Sequence, residues 1–139
     1  MKPDARTKAW LIEQGFKPWR VEVWNSFSHK KYDLFWIADY VGLPKLNSPW
    51  RGIVQLLGVQ VTGANGRASH RTDLLHLPPK KTMLKRWLYN GLGFELHSWQ
   101  KEAVHGRGKR KDWTLTREKA IMSPTGKVSF EELPDPKEV

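Results

Sequence analysis

The chain has 139 residues, and its 24 Lys and Arg against 14 Asp and Glu give a formal net charge of +10, which favours a polyanionic partner such as nucleic acid. It has no cysteine, which excludes disulfides and thiolate metal sites. No apolar window approaches the ~20 residues of a membrane span, and no apolar signal core is present, so we expect a cytoplasmic protein without a membrane partner.

The first part of the chain is predicted to form one helix and three strands. In order these are Asp4–Gly15, Trp19–Trp24, Tyr32–Leu43 and Ile53–Thr62. Asp4 is expected to cap the helix, and Gly15 to end it in the left-handed conformation. The second and third strands are apolar almost throughout, which indicates burial on both faces, and they are expected to pair as an antiparallel hairpin.

The second part of the chain adds further helices and strands. The predicted segments are a short helical or irregular segment at Ser69–Leu77, a helix at Lys80–Asn90, a strand at Phe94–Lys101 and a short strand at Trp113–Leu115. A small polar helix or turn is expected around Arg117–Ala120 and a tail over 124–139, so 1–123 is predicted to be one domain. The order of elements predicts an α/β fold, with a mixed central sheet flanked by helices.

Two acids inside the second predicted strand need a physical explanation. Asp33 and Asp39 lie on an apolar strand, and a buried carboxylate is costly unless it is paired, protonated or bound to a metal. Gln60 and Thr62 share one face at the end of the third strand. Because carboxylate and amide oxygens suit Mg²⁺ or Mn²⁺, the hairpin predicts a metal site that can neutralise a phosphate.

The register of the hairpin decides which acid faces Gln60. A regular strand separates Asp33 from Asp39 by ~20 Å, so both are not expected to bind one ion. A register centred near residue 46 or 47 pairs Gln60 with Asp33, whereas one centred near 49 or 50 pairs it with Asp39, and the connecting loop is too long to decide. Alternatively, either acid is a strand-end carboxylate bonded to loop amides, or the ion-pair partner of a lysine.

These motifs resemble the PD-(D/E)XK nuclease superfamily and, within it, archaeal-type Holliday junction resolvases and related phage endonucleases. Ala38-Asp39-Tyr40-Val41 is similar to the first half of the family motif, and Gln60-Val61-Thr62 to the second half. The basic loop Ser28–Lys31 and the acid Asp4 at the first helix are also similar to family features. The resemblance covers roughly Asp4 to Trp113 and implies a restriction-endonuclease-like core with the order αβββαβ.

The resemblance implies a Mg²⁺- or Mn²⁺-dependent endodeoxyribonuclease that acts on branched DNA. Asp39 and Gln60 would hold the metal ion, and Asp33 is a further candidate ligand. Two symmetric cuts in branched DNA would require a homodimer with paired sites. From this resemblance we expect the protein to be located in the cytoplasm of a prokaryotic or phage-infected cell.

The sequence departs from the family at the motif itself. Gln60 replaces the usual Glu, and Thr62 stands where Lys is expected, although a hydroxyl does not stabilise an oxyanion as an ammonium does. Thr62 would then position water or phosphate, and Arg71 or Lys101 would supply the missing cation. His70 and His97 are available as general bases, but each is more often a bystander.

Basic residues outside the motif are candidates for holding nucleic acid, because lysine and arginine neutralise phosphates. They are Lys30, Lys31, Arg67, Arg71, Arg107, Lys109, Arg110 and Lys111. A solvated basic face is the alternative for these clusters. For the whole chain, the alternatives to a nuclease are a non-catalytic nucleic-acid-binding module on the same fold and a basic structural or interaction protein.

Overall fold

The computed structural model describes residues 2–25, 30–103 and 111–134, without the side chains of 23–25, 30–32, 102–103 and 111. Its helices are α1 Pro3–Glu13, α2 Arg67–His76 and α3 Lys80–Tyr89. Its strands are β1 Phe16–Arg20, β2 Val23–Asn25, β3 Lys30–Tyr32, β4 Tyr40–Pro44, β5 Leu57–Gly63, β6 Gly93–Ala103, β7 Lys111–Met122 and β8 Val128–Leu133. None of the helices in these ranges is long and apolar enough to cross a membrane.

Six of the strands form one mixed sheet with the order β1-β4-β5-β6-β7-β8. β5 and β6 run parallel, and the other neighbours in this sheet are antiparallel. The parallel step needs a crossover, which α2 and α3 provide between β5 and β6. β2 and β3 form a separate antiparallel pair. The predicted α/β class, with a mixed sheet and flanking helices, is confirmed.

The helices cover both faces of the sheet. On one face, Trp10 and Leu11 of α1 pack with Val59 of β5. On the other face, Leu74 of α2 and Leu84 of α3 belong to a second apolar cluster. Since side chains alternate along β5, Val59 and Val61 lie on the α1 face, while Gln60 and Thr62 lie on the α2 and α3 face.

A buried ion network lies beneath α1. The Arg117 guanidinium donates from Nε and Nη2 to the Glu95 carboxylate at 2.8 and 2.9 Å, and its carbon lies 4.6 Å from the centroid of the Trp10 ring. His97 Nε2 lies 3.0 Å from the same carboxylate. Burial alone raises the pKa of Glu95, but His97 and Arg117 outweigh it and lower the pKa to about 2. The charges compensate one another, so this network fixes β7 against β6.

Several predicted elements are confirmed. α1 follows the prediction, and Gly15 after it has a φ of +89°. α2 and α3 match the predicted helical segments, and α3 ends before Gly91, which has a φ of +77°. β6 matches the predicted fourth strand, and β4 pairs with β5 as the predicted antiparallel hairpin.

Other local predictions are wrong. Asp4 does not cap α1, since the N-cap is Lys2 and no side chain caps it. The strand predicted over Trp19–Trp24 divides into β1 and β2, and the one predicted over Tyr32–Leu43 divides into β3 and β4 with a turn between them. The third strand begins at Leu57 because the residues before it form turns.

The C-terminal part also differs from its prediction. Instead of a short strand followed by a polar helix or turn at Arg117–Ala120, β7 continues through to Met122. The described part of the predicted tail over 124–139 contains β8, which pairs with β7 at the edge of the sheet. The domain therefore extends beyond residue 123, because β7 gives β8 a complete row of backbone partners.

The buried network predicts that Arg117→Met destabilises the protein. The change leaves Glu95 buried without its main partner, which typically costs about 3–5 kcal/mol of unfolding free energy. The pKa of Glu95 is about 2 in the folded protein, against 4.5 ordinarily. The destabilisation by Arg117→Met is therefore complete above pH 4.5 and becomes smaller as the pH falls toward 2.

Urea denaturation measures the effect of Arg117→Met, with Lys8→Met as the control because Lys8 is exposed on α1. The control should change the unfolding free energy by no more than about 0.5 kcal/mol. Equal effects of the two substitutions would contradict a stabilising role for the network.

Candidate metal centre

An open cleft with a volume of about 600 Å³ lies where the start of α1, the end of β1, the segment before β4 and the end of β5 meet. Acidic, basic and polar side chains share its walls. The lining residues are Lys2, Pro3, Asp4, Arg20, Glu22, Asp33, Asp39, Gln60, Val61, Thr62, Gly63 and His70. The predicted residues Asp33, Asp39, Gln60 and Thr62 are therefore in one cleft.

Asp39 is fixed by the hairpin between β4 and β5. Its side chain is buried, and its Oδ2 accepts hydrogen bonds from the backbone N–H of Val61 and from Nε2 of Gln60, both at 2.7 Å. Tyr40 pairs with Val59, which is the register centred near residue 49 or 50. That alternative is confirmed, and Asp39 faces Gln60.

Asp33 reaches the same point by a reversal of the chain. Leu34 and Ala38 form a two-way backbone bridge, and the Ile37 N–H donates to the Leu34 carbonyl at 3.0 Å. This tight turn brings Asp33 back beside Asp39. The expected separation of ~20 Å is wrong because it assumed a regular strand, and both acids are available to a single ion.

The turn between the two acids has an uncommon backbone. Phe35 has a φ of +50° and Trp36 a φ of +64°, in the left-handed region that costs about 1–3 kcal/mol for each residue other than glycine. About half of each residue is exposed, 53% and 47%, and neither belongs to the two apolar clusters of the described residues. Burial in the apolar core therefore does not explain why aromatic residues occupy these positions.

Glu22 completes the acidic group, and sequence reasoning missed it. It lies in the break between β1 and β2, where the Val21 N–H donates to the Asp39 carbonyl at 2.8 Å. Carboxylate oxygens of Glu22, Asp33 and Asp39 all lie within 4.8 Å of one another. The signal in the sequence was an acid within an alternating apolar segment, but it resembled the outer face of a strand.

The electrostatics of the cleft disfavour an ionised Asp39. Burial, the neighbouring Asp33 carboxyl and, more weakly, Glu22 raise the pKa of Asp39 to about 8, against the lowering effect of the Val61 N–H. Gln60 is also buried, and its Oε1 has no hydrogen-bond partner among the described residues. A cation in the cleft would favour the charged form of the Asp39 carboxyl.

The donor set fits a hard divalent cation. Three carboxylates and one amide oxygen are the ligand type of Mg²⁺ and Mn²⁺. Mg²⁺ binds oxygens at about 2.0–2.1 Å and commonly keeps several waters, so three carboxylates at this spacing are suited to hold a partly hydrated ion. Asp39, Asp33, Glu22 and Gln60 are the residues that would hold it.

Thr62 and His70 form the wall beside this group. A Cβ added at Gly66 would overlap Thr62 Oγ1 and would lie 3.2 Å from the His70 ring. Glycine at the start of α2 therefore lets these two side chains approach the same point. Burial, helped by the charge of Lys80, lowers the pKa of His70, which favours a neutral imidazole able to accept a proton.

The cationic side chains that line the cleft are Lys2, Arg20 and His70 when it is protonated. Arg20 lies 3.4 Å from Glu22 and 3.6 Å from Asp4, so its guanidinium is at the edge of the acidic group. The sequence did not identify Arg20 or Lys2 as candidates, because neither lies near the motif in the chain.

Arg71 and Lys101, the predicted sources of the missing cation, lie elsewhere. Arg71 forms an ion pair with Glu118. Thr62 pairs with Ser98, so Lys101 is three residues, or ~10 Å, further along β6 and on the opposite face. Its Nζ lies 6.0 Å from the centroid of the Trp113 ring. His97 is fully buried in the network with Glu95 and does not line the cleft.

The predicted nucleic-acid contacts are described only in part. Arg67 forms ion pairs with Glu118 at 2.9 Å and Glu132 at 3.2 Å, which attach α2 to β7 and β8. Arg107, Lys109 and Arg110, and the side chains of Lys30, Lys31 and Lys111, lie outside the described residues.

A comparison of the chain with protein-family models, curated proteins and solved structures found no match.

The buried carboxyl predicts that Asp39→Asn stabilises the metal-free protein at alkaline pH. The pKa of Asp39 is about 8 in the folded protein against 3.8 ordinarily, so folding becomes less favourable as the pH rises between these values, by about 1.4 kcal/mol per unit. Asparagine has no such charge.

Urea denaturation in EDTA at several pH values tests this expectation. The stability advantage of Asp39→Asn should grow with pH, whereas Glu131→Gln, at an exposed position on β8, should show no such trend. A variant that is less stable than the wild type at every pH would contradict the expectation.

Proposed function

We propose that the protein is a metal-dependent DNA endonuclease that hydrolyses phosphodiester bonds. The observation that carries this proposal is the convergence of three carboxylates within 4.8 Å in an open cleft, next to the unpartnered amide oxygen of Gln60. A single cation there would satisfy all four groups. The chain's charge of +10 makes a polyanion the natural substrate.

The order of elements supports the resemblance to PD-(D/E)XK nucleases. A helix precedes three antiparallel strands, β1, β4 and β5, and two helices then lead to β6, which runs parallel to β5. Asp39 comes immediately before the middle strand, and Gln60 lies on the next. Apart from the separate β2–β3 pair and with α2 and α3 counted as one crossover, this arrangement is compatible with the order αβββαβ that the resemblance implies.

The chemistry follows from the roles of the cleft residues. When bound, a divalent cation lowers the pKa of its water and neutralises charge on the phosphate. Asp39, Asp33 and Glu22 would hold it, and the proton of Asp39 would leave to solvent when the carboxylate takes up this role. Thr62 positions water or a phosphate oxygen, and neutral His70 accepts a proton from the attacking water.

Arg20 and Lys2 are the cations that stand in for the lysine replaced by Thr62. Both line the cleft, and the Arg20 guanidinium lies 3.4 Å from Glu22. A cation at that edge stabilises the charge that develops on the phosphate. This assignment replaces Arg71 and Lys101, which lie at Glu118 and on the opposite face of the sheet.

In its more specific form, the proposal is that a homodimer of this protein cuts branched DNA. It derives from the resemblance to Holliday junction resolvases, in which paired sites make symmetric cuts. A second cleft, lined by Arg71, Lys81, Lys85 and Lys127 among others, offers cations for the phosphates of an adjoining arm.

The proposal predicts metal-dependent cleavage that Asp39→Asn abolishes. Labelled four-way junction, flap and linear duplex are incubated with Mg²⁺, Mn²⁺ or EDTA. The variant should lose at least about 100-fold in rate, because removing even an outer partner of a metal ligand costs 10- to 100-fold. Glu131→Gln should cut as the wild type does.

A Mn²⁺-induced rise in melting temperature gives a readout that does not depend on activity. The wild type should show the rise and Asp39→Asn should lose it. Intact substrates under every condition, together with no thermal response to Mn²⁺, would reject the proposal.

The missing lysine favours a second candidate, a non-catalytic nucleic-acid-binding module. Thr62 occupies the position of the family lysine, and a module without that cation retains binding but loses hydrolysis. In such a module, Asp39→Asn would leave affinity unchanged or slightly raise it, and no metal-dependent cutting would accompany binding.

The assignment of Arg20 gives a further prediction. Arg20→Ala should lower the cleavage rate by about 100- to 1000-fold, the cost of removing one group that stabilises transition-state charge, and should leave the Mn²⁺-induced thermal shift in place. Lys101→Ala, on the opposite face, should have no effect on the rate. The reverse result would return the catalytic role to Lys101.

A further inference from the structure

The turn that joins Asp33 to Asp39 presents two consecutive aromatic residues to solvent. Phe35 and Trp36 are its central residues, since Ile37 donates its N–H to the Leu34 carbonyl. Both have positive φ values, +50° and +64°, and about half of each side chain is exposed. The metal centre does not need these rings, because a turn of any composition would bring the two acids together.

The residues at these positions are not the ones the backbone prefers. Two-residue turns with two positive φ values favour Asn-Gly or Asp-Gly, which adopt this conformation with little strain. A bulky residue with positive φ is an outlier. Phe35 and Trp36 therefore occupy the turn against local preference and outside the apolar clusters of the described residues, which points to contact with a ligand.

The position of the turn indicates the ligand. Phe35 and Trp36 lie on the turn that joins Asp33 directly to Asp39, so they are close in the chain to the acids of the cleft. Lys30 and Lys31 lie on β3, which leads into the turn. An aromatic pair next to a phosphate-processing cleft in a strongly basic chain matches the pattern of base-stacking platforms.

We propose that Phe35 and Trp36 form a stacking platform for unpaired nucleobases, so that the substrate carries single-stranded bases near the scissile phosphate. This inference rests on the proposed function for the identity of the ligand as nucleic acid. Bases inside an intact duplex have both faces covered by their neighbours. Exposed rings at the tip of a turn gain contact only with bases that have left the stack.

The test measures binding rather than cleavage. Asp39→Asn protein in EDTA is titrated into oligonucleotides with 2-aminopurine in a gap, in a single strand or within a continuous duplex. Stacking on an aromatic ring should quench 2-aminopurine in the gap and the single strand only. The probe strand is scanned so that each of several adjacent positions carries the analogue in turn.

The decisive variant is Phe35→Asn/Trp36→Gly, because it keeps the turn geometry and removes both rings. It should lose about 10-fold or more in affinity for gapped and single-stranded probes, in line with the value of base–aromatic stacking, while its affinity for duplex stays within about twofold of the parent. Because it relieves backbone strain, its melting temperature should stay at or above that of the parent.

Matched variants separate stacking from general apolar contact. Trp36→Phe should retain most of the quenching, whereas Trp36→Leu should lose it while keeping apolar area. Tyr89→Ala, which removes an exposed aromatic ring at the end of α3, should leave quenching unchanged.

The outcomes distinguish this inference from the proposed function. Undiminished quenching and affinity in Phe35→Asn/Trp36→Gly would overturn the platform, as would a fall in melting temperature with equal losses for every probe, which indicates a packing role. Quenching that depends on the two rings in a protein that cleaves nothing would retain the platform and reject the nuclease. Failure of the parent to bind any probe would reject both.

Discussion

The hairpin between β4 and β5 holds a carboxylate where water has little access, and the candidate site depends on that placement. The Val61 N–H and the Gln60 amide fix Asp39 at 2.7 Å. They do so because the register places residues 39 and 60 opposite each other. A slip of one residue would turn Gln60 to the α1 face, so the register that builds the core also builds the cleft.

Two buried acids, Glu95 and Asp39, have pKa values that are shifted in opposite directions. Glu95 and Asp39 are both nearly inaccessible, yet the pKa of Glu95 falls to about 2 and that of Asp39 rises to about 8. Arg117 compensates Glu95, whereas Asp39 faces other carboxyls. Since burial is similar, the difference comes from the partners. Glu95 has its own cation and is a structural group, whereas no ion pair with a cation is found for Asp39 among the described residues, which is the condition expected of a site completed by a ligand.

The sequence predicted the parts that depend on local patterns and missed those that depend on irregular backbone. Helical periodicity and the glycines that follow the helices identified α1 and α3. Of the two registers considered for the hairpin, one placed Asp39 opposite Gln60. Asp33 was placed far away because Phe35 and Trp36 give no turn signal, since this turn type normally shows Asn-Gly. Glu22 was missed because the break after β1 follows from tertiary contact with Asp39, which no local pattern reports. β7 was shortened because its polar residues, including Arg117, resembled a turn.

Under the proposed function, the charged residues of the whole cleft explain how Gln60 and Thr62 can depart from the family motif. Gln60 in place of the family Glu and Thr62 in place of the family Lys would, under the proposed function, remove one negative and one positive charge, so the net charge of the motif would be unchanged. Glu22 and Asp33 then add carboxylates from a neighbouring segment, and Arg20 and Lys2 add cations. Under the proposed function, charges that the family keeps on one strand are distributed here over β1, the turn before β4 and the start of α1. The catalytic groups would then depend on tertiary structure rather than on a linear motif, and a linear motif is what sequence comparison detects best.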